Sequence, residues 1–149
     1  MDRTDYMSEA LALAKEAMAC GEVPVGAIVV DSAGNIIGRG RNRREETGNA
    51  TRHAEIEAVE QACKALGDWR LDDCTMYVTL EPCPMCTGAI INARIPKLVY
   101  GLKDGNSGCC GSVINLFEER LGHKPAVYSG VLAAESSELL KEFFKNART

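Results

Sequence analysis

Thr75-Met76-Tyr77-Val78-Thr79-Leu80-Glu81-Pro82-Cys83-Pro84-Met85-Cys86-Thr87-Gly88-Ala89-Ile90-Ile91-Asn92-Ala93 reads as a strand, a proline-flanked turn and a helix. Residues 75–80 are strand-like, and residues 84–93 form a short helical stretch. Pro84 stands near the start of that helix, where the missing N–H would have had no partner anyway. Together they make one β–α unit. In open α/β sheets ligands collect at the carboxyl ends of strands, and Cys83 and Cys86 fall there. The start of a helix carries partial positive charge, which favours thiolate over thiol.

Thirty positions upstream, His53-Ala54-Glu55 opens a second helical stretch, 53–66, with Ile56, Val59, Cys63 and Leu66 on one face. The rest of the chain fits around these two units. Residues 4–20 have helical spacing in Met7, Leu11, Ala14 and Met18, and Gly21 ends the helix. Residues 23–30 and 36–41 read as two strands joined by the turn Asp31-Ser32-Ala33-Gly34-Asn35, an antiparallel hairpin. A polar loop runs from there to Thr51. Further on, 97–101 and 126–129 are strand-like, 113–120 reads as helical, and a final helix covers about 132–146. Helices interleaved with five strands predict a mixed sheet between helical layers.

The chain has 149 residues, the size of one domain with a real core. Residues 1–149 are therefore expected to form a single domain. Hydrophobic residues make up 46% and charged residues 26%, an ordinary globular balance. No apolar run has the length of a bilayer span, and the acidic N-terminus lacks the pattern of a signal peptide, so the expected location is the cytoplasm. The net charge of −4 argues against nucleic-acid binding by bulk electrostatics. Arg39, Arg41, Arg43, Arg44 and Arg52 do cluster around His53. A local basic patch and a solvated loop balanced by Glu45 and Glu46 are both open readings. There are seven cysteines, an odd number that cannot all pair within one chain. Cys20, Cys63 and Cys74 read as small core residues, and Cys109 and Cys110 as packing residues in a glycine-rich loop.

His53, Cys83 and Cys86 supply one imidazole and two thiolates. Three protein ligands on zinc leave a fourth position for water, the pattern of a catalytic site, whereas structural zinc usually has four protein ligands. Zinc brings the pKa of that water toward neutrality. Glu55, beside the histidine at the helix start, can take the water's proton and return protons to a ring nitrogen and a leaving amine. The combination H-x-E with P-C-x-x-C is the general signature of zinc-dependent nucleobase deaminases. A lone C-x-x-C would also suit a zinc knuckle or a redox pair. Here the second half, at the right offset, carries the shuttle carboxylate that a scaffold protein without activity would not need.

The chain resembles the bacterial tRNA-specific adenosine deaminases over nearly its whole length. The matching strings are Glu22-Val23-Pro24-Val25-Gly26-Ala27, Arg41-Asn42-Arg43, His53-Ala54-Glu55, Trp69-Arg70-Leu71 and the run from Tyr77 to Cys86. Val99-Tyr100-Gly101, Gly108-Cys109-Cys110-Gly111-Ser112 and Glu142-Phe143-Phe144 match as well. The resemblance implies a cytidine-deaminase-like three-layer α/β/α fold with a central mixed five-stranded sheet. It implies one Zn2+ per subunit on His53, Cys83 and Cys86, Glu55 as catalytic proton shuttle, and a homodimer. The implied reaction is hydrolytic conversion of adenosine to inosine at the wobble position of the anticodon arm of a tRNA. Asn42 would contact the target base, Ala54 would line the substrate site, and Asp104 would lie near the ribose of the flipped nucleotide or its neighbours. Read without the resemblance, Asn42 is a loop cap and Asp104 a turn residue.

Two positions depart from the family pattern. Asn106 stands where the family often has Lys, and Arg52 replaces a small residue before the histidine. A long basic tail is absent, although Lys141, Lys145 and Arg148 give the last helix some positive charge. A deaminase of a free base or nucleoside, such as guanine or cytosine, shares the metal motif and is the alternative. An RNA substrate predicts a locally positive surface around the metal pocket.

Overall fold

The computed structural model describes residues 1–147, so Arg148 lies outside the described residues. In chain order the elements are α1 (Arg3–Ala19), β1 (Gly26–Val30), β2 (Ile36–Arg41), α2 (Arg44–Thr47), α3 (Ala54–Leu66), β3 (Thr75–Leu80), α4 (Pro84–Asn92), β4 (Lys97–Leu102), β5 (Ala126–Tyr128) and α5 (Ala133–Ala147). The strands form one mixed sheet in the order β2-β1-β3-β4-β5. β1 runs antiparallel to β2 and β3, while β3, β4 and β5 are parallel.

Side chains of a strand alternate between faces, and β1 divides the core accordingly. Ile28 and Val30 pack with Tyr6, Met7 and Ala10 of α1. Ala27 and Val29 pack on the other face with Ala54, Ala58 and Ala62 of α3 and with Ile90 and Ile91 of α4. α5 lies beside α1, where Leu139 meets Leu11 and Ala14. The buried Ser136 hydroxyl donates to the Thr79 carbonyl of β3 at 2.8 Å. The three layers and five strands are those the sequence leads one to expect.

Four expectations need correction. The face of α3 turned to the sheet is Ala54, Glu55, Ala58 and Ala62, not the larger residues. Ile56, Val59 and Cys63 are only partly buried, and Leu66 is 46% exposed. The reason lies in β2: a Cβ at Gly38 or Gly40 would collide with the backbone carbonyl of Ala58 or Ala54. Helix and strand approach so closely that only small residues fit between them. Residues 113–120 contain no α-helix, only a 3-10 turn, Leu116–Glu118. The donors of that stretch face backward in the loop instead: Val113 N–H bonds Gly108 O and Leu116 N–H bonds Cys109 O, both at 3.0 Å. β1 begins at Gly26 rather than Val23, since Pro24 has no N–H to give to a ladder. Cys20 is exposed at the end of α1 rather than in the core, whereas Cys74, Cys109 and Cys110 are buried as expected.

Candidate metal centre and active-site cleft

Two helix starts converge to form the centre. His53 is the N-cap of α3 and Cys83 the N-cap of α4, both with extended backbone, and Cys86 lies in the first turn of α4. Neither N-cap side chain makes a capping hydrogen bond. His53 Nδ1 lies 3.6 Å from Cys83 Sγ and 3.5 Å from Cys86 Sγ. The ligand atoms of the three residues all fall within 4.8 Å of one another, so they could hold a metal ion.

Electrostatics set the three groups apart. The Cys86 thiol, bonded to Cys83, brings the Cys83 thiol down to about 4 against the pull of burial, and His53 adds to this. The same partner and burial push Cys86 far up. The hydrogen bond with Cys83 raises His53. Burial pushes the Glu55 carboxyl up to about 7, with the Cys83 thiolate adding to the rise. A carboxyl tuned to neutrality can both accept and donate a proton at ordinary pH.

A cleft of about 160 Å³ opens on this centre. It is well below the ~300–1,000 Å³ of drug-sized pockets, a scale suited to one flat ring. His53, Ala54, Glu55 and Cys83 form one wall. Asn42 and Asp104, named from the sequence, also line the cleft, and with the residues beside them are termed its rim. The structure thus brings every sequence-named residue to one place, with Cys86 buried beneath.

The cleft is also lined by Arg44 of the arginine cluster, by Val23, Val25, Leu80 and Glu81, which the sequence offers only within matching strings, and by Ser107, which it does not single out. The sequence marks Glu81 only by the Leu80-Glu81 approach to Pro82, which favours a tRNA substrate over a free base. The Asn42 amide is held loosely, by Val23 O at 3.5 Å and Arg44 N at 3.4 Å. Its donors and acceptor therefore keep capacity for a ligand. The Asp104 carboxylate instead closes its own turn, accepting from Asn106 N at 2.9 Å and from Ser107 N and Oγ.

Behind Asn42 a second carboxylate works through the backbone. Glu22, 1% exposed, accepts from the N–H groups of Glu45 at 3.0 Å and Glu46 at 2.6 Å, the first turn of α2. This short helix, in a stretch expected to be polar loop, carries Arg44 to the cleft. The arginine cluster proves to be an ion-pair network. Glu46 binds Arg41 at 3.0 Å and Arg43 at 2.7 Å, Glu57 binds Arg43 at 2.7 Å, and Glu60 binds Arg52 at 2.8 Å. Of the charged residues lining the cleft, Arg44 stands with Glu55, Glu81 and Asp104. Lys103, Lys141 and Lys145 lie in the adjoining grooves against α5.

Comparison with known proteins agrees with this geometry. A family profile described as MafB19-like deaminase matches residues 1–148. The tRNA-specific adenosine deaminase of Bacillus subtilis (strain 168) is 49% identical over 144 residues, covering 96% of this chain and 89% of that protein. A solved structure from work on A-to-I editing by tRNA deaminases at the wobble position superposes with a TM-score of 0.89 at 44% identity, covering 92% of this chain and 99% of that one. A guanine deaminase from Bacillus subtilis lies further off, with a TM-score of 0.68 at 32% identity over 99% of this chain and 94% of that one. The chain belongs to the tRNA-specific adenosine deaminase family, hydrolytic deaminases on the cytidine-deaminase-like fold.

Proposed function

We propose that residues 1–149 act as one zinc-dependent deaminase domain that converts adenosine to inosine at the wobble position of a tRNA anticodon. The observation that carries this reading is the donor geometry beside Glu55. Tetrahedral zinc with ordinary Zn–N and Zn–S bonds requires nitrogen and sulfur to be ~3.6 Å apart. The two distances here are 3.6 and 3.5 Å, and a nitrogen with two sulfurs is a donor set zinc favours.

His53, Cys83 and Cys86 would hold the ion, which supplies a water ionised near neutral pH. Glu55 takes the proton of the attacking water. It passes that proton to the ring nitrogen of the purine, then takes the remaining proton from the hydroxyl added to the ring carbon and passes it to the amine, which departs as ammonia. Asn42 orients the base through its amide, and Ala54, with no side chain beyond Cβ, leaves the ring room against the wall. Asp104 shapes the rim where the sugar of the target nucleotide would lie. A base in an anticodon loop is unpaired, so turning it into the cleft requires little unstacking.

The tRNA reading is supported over a free-base one by the higher similarity to the tRNA-editing structure than to the guanine deaminase. The proposal includes a homodimer acting in the cytoplasm. Among the described residues no helix is long and apolar enough to cross a membrane. The test is inosine formation in an anticodon stem-loop RNA, with and without a chelator, beside ammonia release from guanine. Inosine that disappears with chelation and returns with zinc is expected. Ammonia from guanine without inosine in the RNA would overturn the tRNA substrate.

A further inference from the structure

Glu81 stands between the last residue of β3 and the metal turn that begins at Pro82. It is 2% exposed. Among the described residues no arginine or lysine pairs with it. A buried carboxylate in that situation needs hydrogen-bond donors. Four reach it, all from residues 104–112. Asp104 N–H at 3.1 Å and the Ser112 hydroxyl donate to Oε1. The N–H groups of Cys110 at 2.9 Å and Ser112 at 3.1 Å donate to Oε2. The loop is shaped around this group: a Cβ at Gly108 would lie 2.5 Å from the Glu81 carboxyl carbon.

Two backbone bonds run alongside. Glu81 N–H donates to Leu102 O, and Cys109 N–H donates to Pro82 O, both at 2.9 Å. The metal turn and the loop are thus joined at one side chain. On one side of it stands Cys83; on the other, Asp104 and Ser107 reach the rim of the cleft.

We infer that Glu81 is the positioning residue for substrate in this enzyme, holding the 104–112 loop at a fixed distance from the metal turn. Both its oxygens are occupied by loop donors, so it takes no part in proton transfer. It acts on RNA through Asp104 and Ser107, and in this it rests on the tRNA reading above. A glutamine has the same shape but turns an NH2 group toward loop donors, so half of the loop bonds are lost.

The experiment compares Glu81→Gln, Ser112→Ala, Asp104→Ala and the double variant Glu81→Gln/Asp104→Ala in the zinc-loaded enzyme. Measured are zinc content, kcat and KM on an anticodon stem-loop, and amide exchange at Asp104, Cys110 and Ser112. Glu81→Gln should raise KM about tenfold with kcat changed less than about threefold. Exchange should quicken at the three amides and not in β3, and zinc content should stay at that of the unaltered enzyme. The double variant should bind within about twofold of the weaker single variant, because both changes act on one element. A fall in kcat at constant KM, loss of zinc, or KM effects that multiply would each overturn the inference. If Glu81→Gln does not fold, Ser112→Ala decides. It removes one donor without stranding another, and an unchanged KM and unchanged exchange would sink the idea. Absence of RNA turnover in the unaltered enzyme would instead defeat the substrate assignment, leaving the exchange measurement to judge the loop.

Discussion

The two walls of the cleft are built on different principles. On the metal wall, His53 and Cys83 are helix N-caps, and Glu55 and Cys86 follow within one turn. Local backbone geometry fixes each of them. On the rim, Asn42, Arg44 and Asp104 sit on short turns held by buried carboxylates far away in sequence. Glu22 holds α2 across more than twenty residues, and Glu81 holds the 104–112 loop across a similar gap. The metal wall is therefore held by its own helix starts, and the rim by the backbone hydrogen bonds that two side chains accept. On the function proposed above, chemistry belongs to the first wall and recognition to the second.

The largest effect should come from the metal wall. Cys86→Ala should lose the metal and all measurable inosine formation, as checked by metal analysis and a stem-loop assay. A variant that keeps both would remove the basis of the division. Next, Glu55→Ala should lower kcat by about 10²–10⁴ while zinc content is unchanged; full activity there would refute the proton shuttle. Gly40→Ala tests whether β2 seats the metal wall. Its Cβ would meet the backbone of α3, so urea unfolding should show a loss of about 2–4 kcal/mol, with α3 too tightly packed to move aside. On the rim, Glu22→Gln should destabilise the protein by about 1–3 kcal/mol through the stranded amides of α2. It should raise KM on RNA more than it lowers kcat; a loss of zinc in this variant would erase the contrast between the walls. The smallest effect belongs to Cys20→Ser, at an exposed helix end, with stability within about 0.5 kcal/mol of the parent by denaturant titration.

The same contrast explains what could be read from the sequence. The β3–α4 unit, with its proline and two cysteines, depends on neighbours in the chain: residues 75–80 form as read, and the helix expected over 84–93 ends one residue earlier, at Asn92. His53 and Glu55 announce themselves by spacing. The buried face of α3 was misjudged because Ile56, Val59 and Leu66 outrank alanine in hydrophobicity. What selects Ala54, Ala58 and Ala62 is the absence of side chains on Gly38 and Gly40 of a different element. Residues 113–120 carry apolar spacing that suits a helix, but their N–H groups are claimed by carbonyls of the 108–109 loop. Glu22 and Glu81 look like ordinary surface acids in a linear reading. Their burial follows only from backbone donors that folding brings to them. The arginines around His53 looked like a possible RNA contact, yet most face glutamates on α2 and α3.

The glycine–alanine contact between β2 and α3 has a consequence for how such an enzyme can diverge. Its clearance is less than one methyl group, so no side chain can be enlarged there in a single step without disturbing the helix that carries His53 and Glu55. Mutational drift in this joint is blocked by volume, whatever the hydrophobicity of the replacement. The 104–112 loop is limited only in part: Gly108 has no room for a Cβ beside Glu81, whereas Gly105 faces open space. New substrates are thus accessible to this scaffold by remodelling the rim while the reaction itself is inherited unchanged.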